Sequence, residues 1–299
     1  MDNLNEKVKI IGAESFGVRS MCCFVKGDSK GYLIDPGVSL APKRFGLPPH
    51  RLEIEEADRI SRKIEEASKD CENIIITHYH HDHFTPWYEH EYNTTGRFIY
   101  DGKKIFVKSW LENINQRQKV RANDFIRGLE ERKQRKNVEI ADGKGFGDMV
   151  FSPAFHHGEK ERGVFVIMVS IKTQWGTFVH GSDIQCFDED AVKWIIGMKP
   201  SVLFLSGPPI YLPQIKLDSI ERARKNILDL LECVPHIIID HHLARTEKCF
   251  EFIQNIQVEY ETRKSEGVKN HKIYFACEWM GEKALLLEAR RKDLFRNSQ

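Results

Sequence analysis

The sequence lacks the features that would take it out of the globular class. No stretch of its 299 residues is apolar over the length of a membrane span. The opening Met1-Asp2-Asn3-Leu4-Asn5-Glu6-Lys7 is polar and acidic, with no signal-peptide core behind it. Seven cysteines, at 22, 23, 71, 186, 233, 249 and 277, are an odd number without a Cys-x-x-Cys pair; neither a disulfide framework nor a zinc knuckle is indicated, and small core residues remain. These absences predict a reducing cytoplasm and no membrane partner. Lys and Arg number 45 against 44 Asp and Glu, a net charge of +1, so no global field selects a nucleic-acid or membrane surface. No repeat of 20 to 50 residues, low-complexity tract or Gly/Ser-rich linker interrupts the chain, which predicts a single domain over 1–299 with no obligate protein partner.

The chain does hold enough apolar material for a sizeable core, with 41% hydrophobic and 30% charged residues. Short β-rich segments at 8–12, 21–26 and 31–35 predict an antiparallel meander, closed by the turn chemistry of Asp35-Pro36-Gly37. Ile54, Ala57, Ile60, Ile64 and Ala67 recur at helical spacing and predict a helix over 51–69. A second amphipathic helix with a basic face is expected within 115–136, as the core of a basic helical insert at about 97–136. Strands follow at 137–140, 148–152, 164–171 and 176–180. Thereafter helices at 188–197, 217–233, 247–263 and 282–296 alternate with strands at 201–205, 235–240 and 272–276, a rhythm that packs helices outside a sheet.

The most informative run is Ile74-Ile75-Ile76-Thr77-His78-Tyr79-His80-His81-Asp82-His83. An apolar β-branched strand stops at a Thr, and a dense group of metal-capable side chains follows. His78 and His80 converge if the chain stays extended, while Asp82 and His83 turn toward a second point if a helix begins there. His81 is the odd member and points away. Later strand ends carry more candidates: His156-His157-Gly158, His180-Gly181-Ser182-Asp183 and Asp240-His241-His242.

The series Asp35, His78-x-His80-x-Asp82-His83, His157, Asp183 and a His at 241 or 242 resembles the ligand order of the metallo-β-lactamase superfamily. More narrowly, Gly17-Val18-Arg19-Ser20, Leu33 to Val38, Pro42-Lys43-Arg44, Glu112 to Asn115, Gly207-Pro208-Pro209 and Ile239 to His242 resemble an archaeal family of predicted metallo-hydrolases. The resemblance implies an α/β fold, the four-layer αβ/βα sandwich, with two mixed β-sheets flanked by helices and the site along one edge. It implies that His78, His80 and His157 hold a first metal and Asp82, His83 and His241 a second, with Asp183 bridging. His241 is preferred to His242, because like His78 it stands one residue past a polar strand end. Asp35 and His242 are expected in support, and His180 facing substrate or supporting the ligands.

Such a site implies a dinuclear hydrolase with a metal-bridging hydroxide, Asp82 and Asp183 at its catalytic centre with His180 beside them. Zinc is the preferred metal, with manganese or iron(II) compatible. The flavin-partnered di-iron reductases of the superfamily carry a Glu where His80 stands and append a flavodoxin domain, so an oxygen or nitric oxide reductase is not expected. The basic 117–136 segment, with Arg19, Lys43 and Arg44 as anion contacts, points to a phosphodiester or phosphorylated substrate, either a small molecule or a nucleic acid. The competing expectation is an acyl hydrolase for a lactone, thioester or amide, with Trp87, Tyr88 and Trp110 as pocket walls. A metal-stabilised binding protein without turnover is a third.

Overall fold

In the computed structural model, which describes residues 3–88, 94–159, 163–264 and 270–297, fifteen strands fall into two large mixed sheets and a small ribbon. The first sheet takes its strands in chain order: β1 (Val8–Ile10), β2 (Cys23–Lys26), β3 (Gly31–Ile34), β4 (Asn73–Ile76), β5 (Lys104–Val107) and β6 (Val138–Ile140). The expected meander is β1 to β3, and β3 to β6 run parallel. The second sheet uses β7 (Gly145–Phe146), β8 (Met149–Phe151), β11 (Val169–Thr173), β12 (Gly176–His180), β13 (Val202–Leu205), β14 (His236–Ile239) and β15 (Lys272–Tyr274). It too is antiparallel from β7 to β12 and parallel from β12 to β15. Between β8 and β11 in sequence, β9 (Phe155–His156) and β10 (Phe165–Val166) form the ribbon.

Parallel strands need long crossovers, and helices supply most of them. After the short α1 (Leu4–Lys7), α2 (Arg51–Lys69) links β3 to β4 and α3 (Gln116–Glu131) links β5 to β6. In the second half α4 (Glu189–Met198), α5 (Leu217–Cys233) and α6 (Cys249–Arg263) make the successive crossovers, before α7 (Ala276–Trp279) and α8 (Leu287–Asn297). Strands β4 and β13 are buried along their whole length, as central strands covered on both faces must be, which is why β13, and β4 after Asn73, read as apolar runs. Full burial of each such Ile, Leu or Phe is worth roughly 1.5–3 kcal/mol. Helix α2 buries Ala57, Ile60 and Ile64 on the expected stripe and starts where His50 accepts from the Leu52 amide. No helix among the described residues is long and apolar enough to cross a membrane.

Two expectations change. The 97–136 segment is not an insert: it contributes β5, which sits between β4 and β6, and α3 is an ordinary crossover of the sheet. The strand expected at 164–171 is two: β10 pairs with β9, and the chain then turns so that the Ile167 amide donates to the Thr77 carbonyl before β11 begins. That detour brings the ribbon carrying His157 against the end of the metal-capable strand. Six of the seven cysteines are buried, in keeping with their reading as core residues, and Cys233 is exposed.

Candidate metal centre

The carboxyl ends of β3, β4, β12 and β14, together with the ribbon, deliver Asp35, His78 to His83, Asp183, His241 with His242, and His157 to one edge between the sheets. Three of these junctions turn through a left-handed residue that is not glycine: Asp35 (φ 48°), Ser182 (φ 53°) and His241 (φ 47°). Each such residue costs of order 1–3 kcal/mol, and the surrounding structure holds it because the turn aims a side chain inward.

His78, His80, His157 and Asp183 form a group whose donor atoms lie within 4.8 Å of one another. His78 Nε2 is 3.0 Å from His80 Nδ1, and His157 Nε2 is 2.5 Å from Asp183 Oδ2. Asp82, His83 and His241 form a second group of the same dimensions. Asp183 stands between them, with Oδ2 3.8 Å from His78 Nε2, 3.7 Å from His83 Nε2 and 3.7 Å from His241 Nε2. His83 Nε2 is buried with no hydrogen-bond partner, and a polar atom in that condition needs one. A cation would supply it, and imidazole with carboxylate suits zinc, manganese or iron.

Asp35 fixes the geometry from beneath. Its carboxylate accepts from the Thr77 amide (2.8 Å), the Thr77 hydroxyl (2.7 Å) and His83 Nδ1 (2.7 Å). With Nδ1 engaged, His83 presents Nε2 to the centre, the usual task of a carboxylate behind a ligand imidazole. Ser182 donates to the Thr77 hydroxyl at 2.6 Å, tying the β12 loop to the β4 loop.

The protonation pattern suits a cation. Burial, and then the neighbouring imidazoles, hold His78 well below the ordinary value and His80 at about 3, so both are neutral. Burial opposes ionisation of Asp82 and Asp183, yet the surrounding histidines outweigh it: His83 and His241 for Asp82, His157 and His242 for Asp183, and both acids stay ionised. His83 differs: burial disfavours its charge, but Asp35 pushes it up to about 9, a proton that a bound cation would displace.

A cavity of about 360 Å³ opens on the centre, lined among others by Arg19, His80, Asp82, Arg121, Asp183, His242 and Arg245. His242 Nε2 lies 3.1 Å from the Asp183 carboxylate, so it faces the cavity beside the group that His241 enters. His81 is paired with the Tyr88 hydroxyl at 2.9 Å. His180 corrects the expectation of a substrate-facing residue: it is wholly buried, its Nε2 donates to the Met21 carbonyl and its Nδ1 accepts from the Ser182 amide, which leaves no nitrogen free. Lys43 is exposed, and Arg44 reaches the Arg245 carbonyl and stacks on Tyr211, so neither forms the cavity wall and only Arg19 remains of the three expected anion contacts. Of the eight basic residues between 117 and 136, Arg121 alone lines the cavity. Others lie along the outer face, with Arg132 over Trp87, Arg135 over Trp110 and Arg127 paired to Asp124. Arg117, Arg127 and Lys133 are exposed to solvent. Trp87, Tyr88 and Trp110, expected as walls of an acyl pocket, are likewise absent from the lining; Trp87 packs on Phe125 and Tyr100 instead. Arg245 and its partner Glu14, 231 positions apart, were not legible as site residues, since no local pattern marks a pair that meets only in the fold.

Residues 16–161 match the model of the metallo-β-lactamase superfamily. The chain is 39% identical over 262 residues to a UPF0282 protein of Thermococcus gammatolerans, covering 84% of this chain and 87% of that one. It is 35% identical over 298 residues to a UPF0282 protein of Methanocaldococcus jannaschii, covering 96% of each. A solved metal-dependent hydrolase of the β-lactamase superfamily superposes with a TM-score of 0.46 at 13% identity, covering 90% of this chain and 96% of that one.

Proposed function

This chain belongs to the UPF0282 family of the metallo-β-lactamase superfamily, and on that premise we propose that it is a dinuclear metal-dependent hydrolase of a small phosphodiester or phosphorylated molecule. The observation that carries the proposal is Asp183, one carboxylate within reach of both donor groups at the floor of a cavity. His78, His80, His157 and Asp183 would hold one ion, and Asp82, His83, His241 and Asp183 the other, zinc being preferred. Held by these residues, divalent ions would lower the pKa of bound water from about 15.7 toward 7 and would so supply hydroxide at neutral pH. The chain itself buries His78, His83 and His241 fully, and Asp35 keeps His83 in one orientation.

The substrate reading rests on the rim. Arg19 and Arg121 both line the cavity, and arginine matches phosphate oxygens with charge-assisted hydrogen bonds. Arg19 is held rigid by a bidentate pair to Glu288 (2.7 and 2.8 Å). Arg121 donates to the Tyr79 carbonyl at 3.2 Å, and among the described residues no carboxylate pairs with it. A volume near 360 Å³ suits a small ester, and of the basic residues beyond α3, Arg132 and Arg135 pack over Trp87 and Trp110 rather than lining the cavity. The test is turnover by zinc- or manganese-loaded protein of bis(p-nitrophenyl) phosphate and p-nitrophenyl phosphate against lactone, thioester and carboxylic ester panels. Phosphoester cleavage is expected, abolished by Asp183→Asn. Arg121→Ala should raise KM for phosphoesters about tenfold, with kcat little changed, the loss of one charge-assisted contact. Turnover of acyl substrates alone would remove the phosphoester reading, and metal binding without any turnover would remove the hydrolase reading.

A further inference from the structure

The two donor groups differ in the company they keep. Arg245 is 5% exposed, and its Nη2 donates to His241 Nε2 at 3.0 Å while standing 3.7 Å from Asp82 Oδ2. These are the atoms that His241 and Asp82 turn toward the centre, 3.4 Å from each other. The guanidinium is anchored there, its Nε donating to Glu14 at 2.5 Å and its backbone carbonyl held by Arg44. Around the other group, no Lys or Arg among the described residues forms a hydrogen bond or ion pair with His78, His80, His157 or Asp183.

We propose that Arg245 makes the centre unequal. The group of His78, His80, His157 and Asp183 retains its ion, whereas the group of Asp82, His83 and His241 takes its ion weakly and exchangeably. Binding there must break the Arg245 to His241 hydrogen bond and bring a divalent charge beside a fixed monovalent one. Like charges a few ångströms apart repel strongly where water is excluded, and Glu14 offsets only part of that. The inference rests on reading both groups as metal sites, and it assigns Arg245 a positioning role in metal occupancy.

The experiment uses the full chain and zinc alone, titrated at equilibrium against a competing chelator, with elemental analysis after dialysis. Two affinities at least tenfold apart are expected, with about one zinc retained per chain. Asp82→Asn should remove the weak step and leave the tight one. Arg245→Met combined with Glu14→Gln deletes both charges without stranding a buried carboxylate, and should narrow the gap at least tenfold by strengthening the weak step alone. Equal affinities in the native chain, or an unchanged gap in a double variant that melts cooperatively, would overturn the inference. Should that variant fail to melt cooperatively, Arg245→Gln is titrated and judged by the same change in the gap. Stepwise binding without ester turnover leaves this inference standing while the hydrolase reading falls; absence of bound zinc overturns both.

Discussion

At the scale of single residues, charged groups are buried only where partners compensate them. Glu288 shows the rule. It is 3% exposed and burial opposes its ionisation, yet Arg19 above all, with Arg245 and Arg44, holds its carboxyl at about 2 against an ordinary 4.5. A depressed folded value means that stability from this group is complete above about 4.5 and disappears as the pH falls through about 2. Glu288→Gln is therefore expected to be less stable than the native chain at pH 6 by about 2 kcal/mol, with the difference closing toward pH 2. Urea unfolding midpoints across that range measure it, and a pH-independent difference would contradict it. The same reasoning separates the histidines. His180 looked as well placed in sequence as His157, since each is the last residue of a strand or one past it. What distinguishes them is where the two ring nitrogens go, to backbone groups for His180 and to Asp183 for His157. Hydrogen-bond partners of that kind come from distant segments, so no local pattern reveals them.

Among elements, strands and helices were read closely because their signals are local. Helix α2 spans Arg51–Lys69 and α5 spans Leu217–Cys233, the limits that apolar spacing predicts. The ribbon was not legible: β10 and β11 read as one apolar strand, and only pairing with β9 and the reach of Ile167 to Thr77 separate them. Turns between elements carry a different constraint. Asp35-Pro36-Gly37 reads as turn chemistry, but Gly37 is required for close approach. A Cβ there would lie 2.3 Å from the Phe84 amide nitrogen and 2.7 Å from that of His83, both backbone. Gly37→Ala must therefore push the loop bearing Asp82 and His83 away from β3. A loss of roughly 1–3 kcal/mol of stability is expected, together with reduced zinc content. Thermal melts and elemental analysis would show both, and an unchanged metal content would separate the turn from the centre.

For the whole molecule, the two sheets share one plan, an antiparallel side continued by parallel strands with helical crossovers, although no repeat is visible in the residues. Placing the carboxyl ends of parallel strands at a common edge is what gathers ligands from both halves. The chain end is tied into this plan from far away. Arg291 of α8 is fully buried, bidentate to Glu53 of α2 at 2.7 Å for each contact, and it also donates to the Ala41 and Leu47 carbonyls. Removing one partner strands the other charge without water, so Arg291→Ala is expected to cost about 3–5 kcal/mol in urea unfolding. A cost below about 1 kcal/mol would mean that α8 is an accessory to the fold.

By itself the sequence determined the alternation of strands and helices, the His-rich strand end, and the order in which candidate ligands arrive. Those rest on periodicity and on residue type at short range. Tertiary structure alone decided which strand ends meet, that Asp183 faces both donor groups, that Arg121 turns inward while other basic residues of its segment face out, and that Glu14 and Arg245 stand beside His241. Charges and lone pairs act over a few ångströms, and at that range neighbours are chosen by sheet pairing across hundreds of residues, which no stretch of chain records.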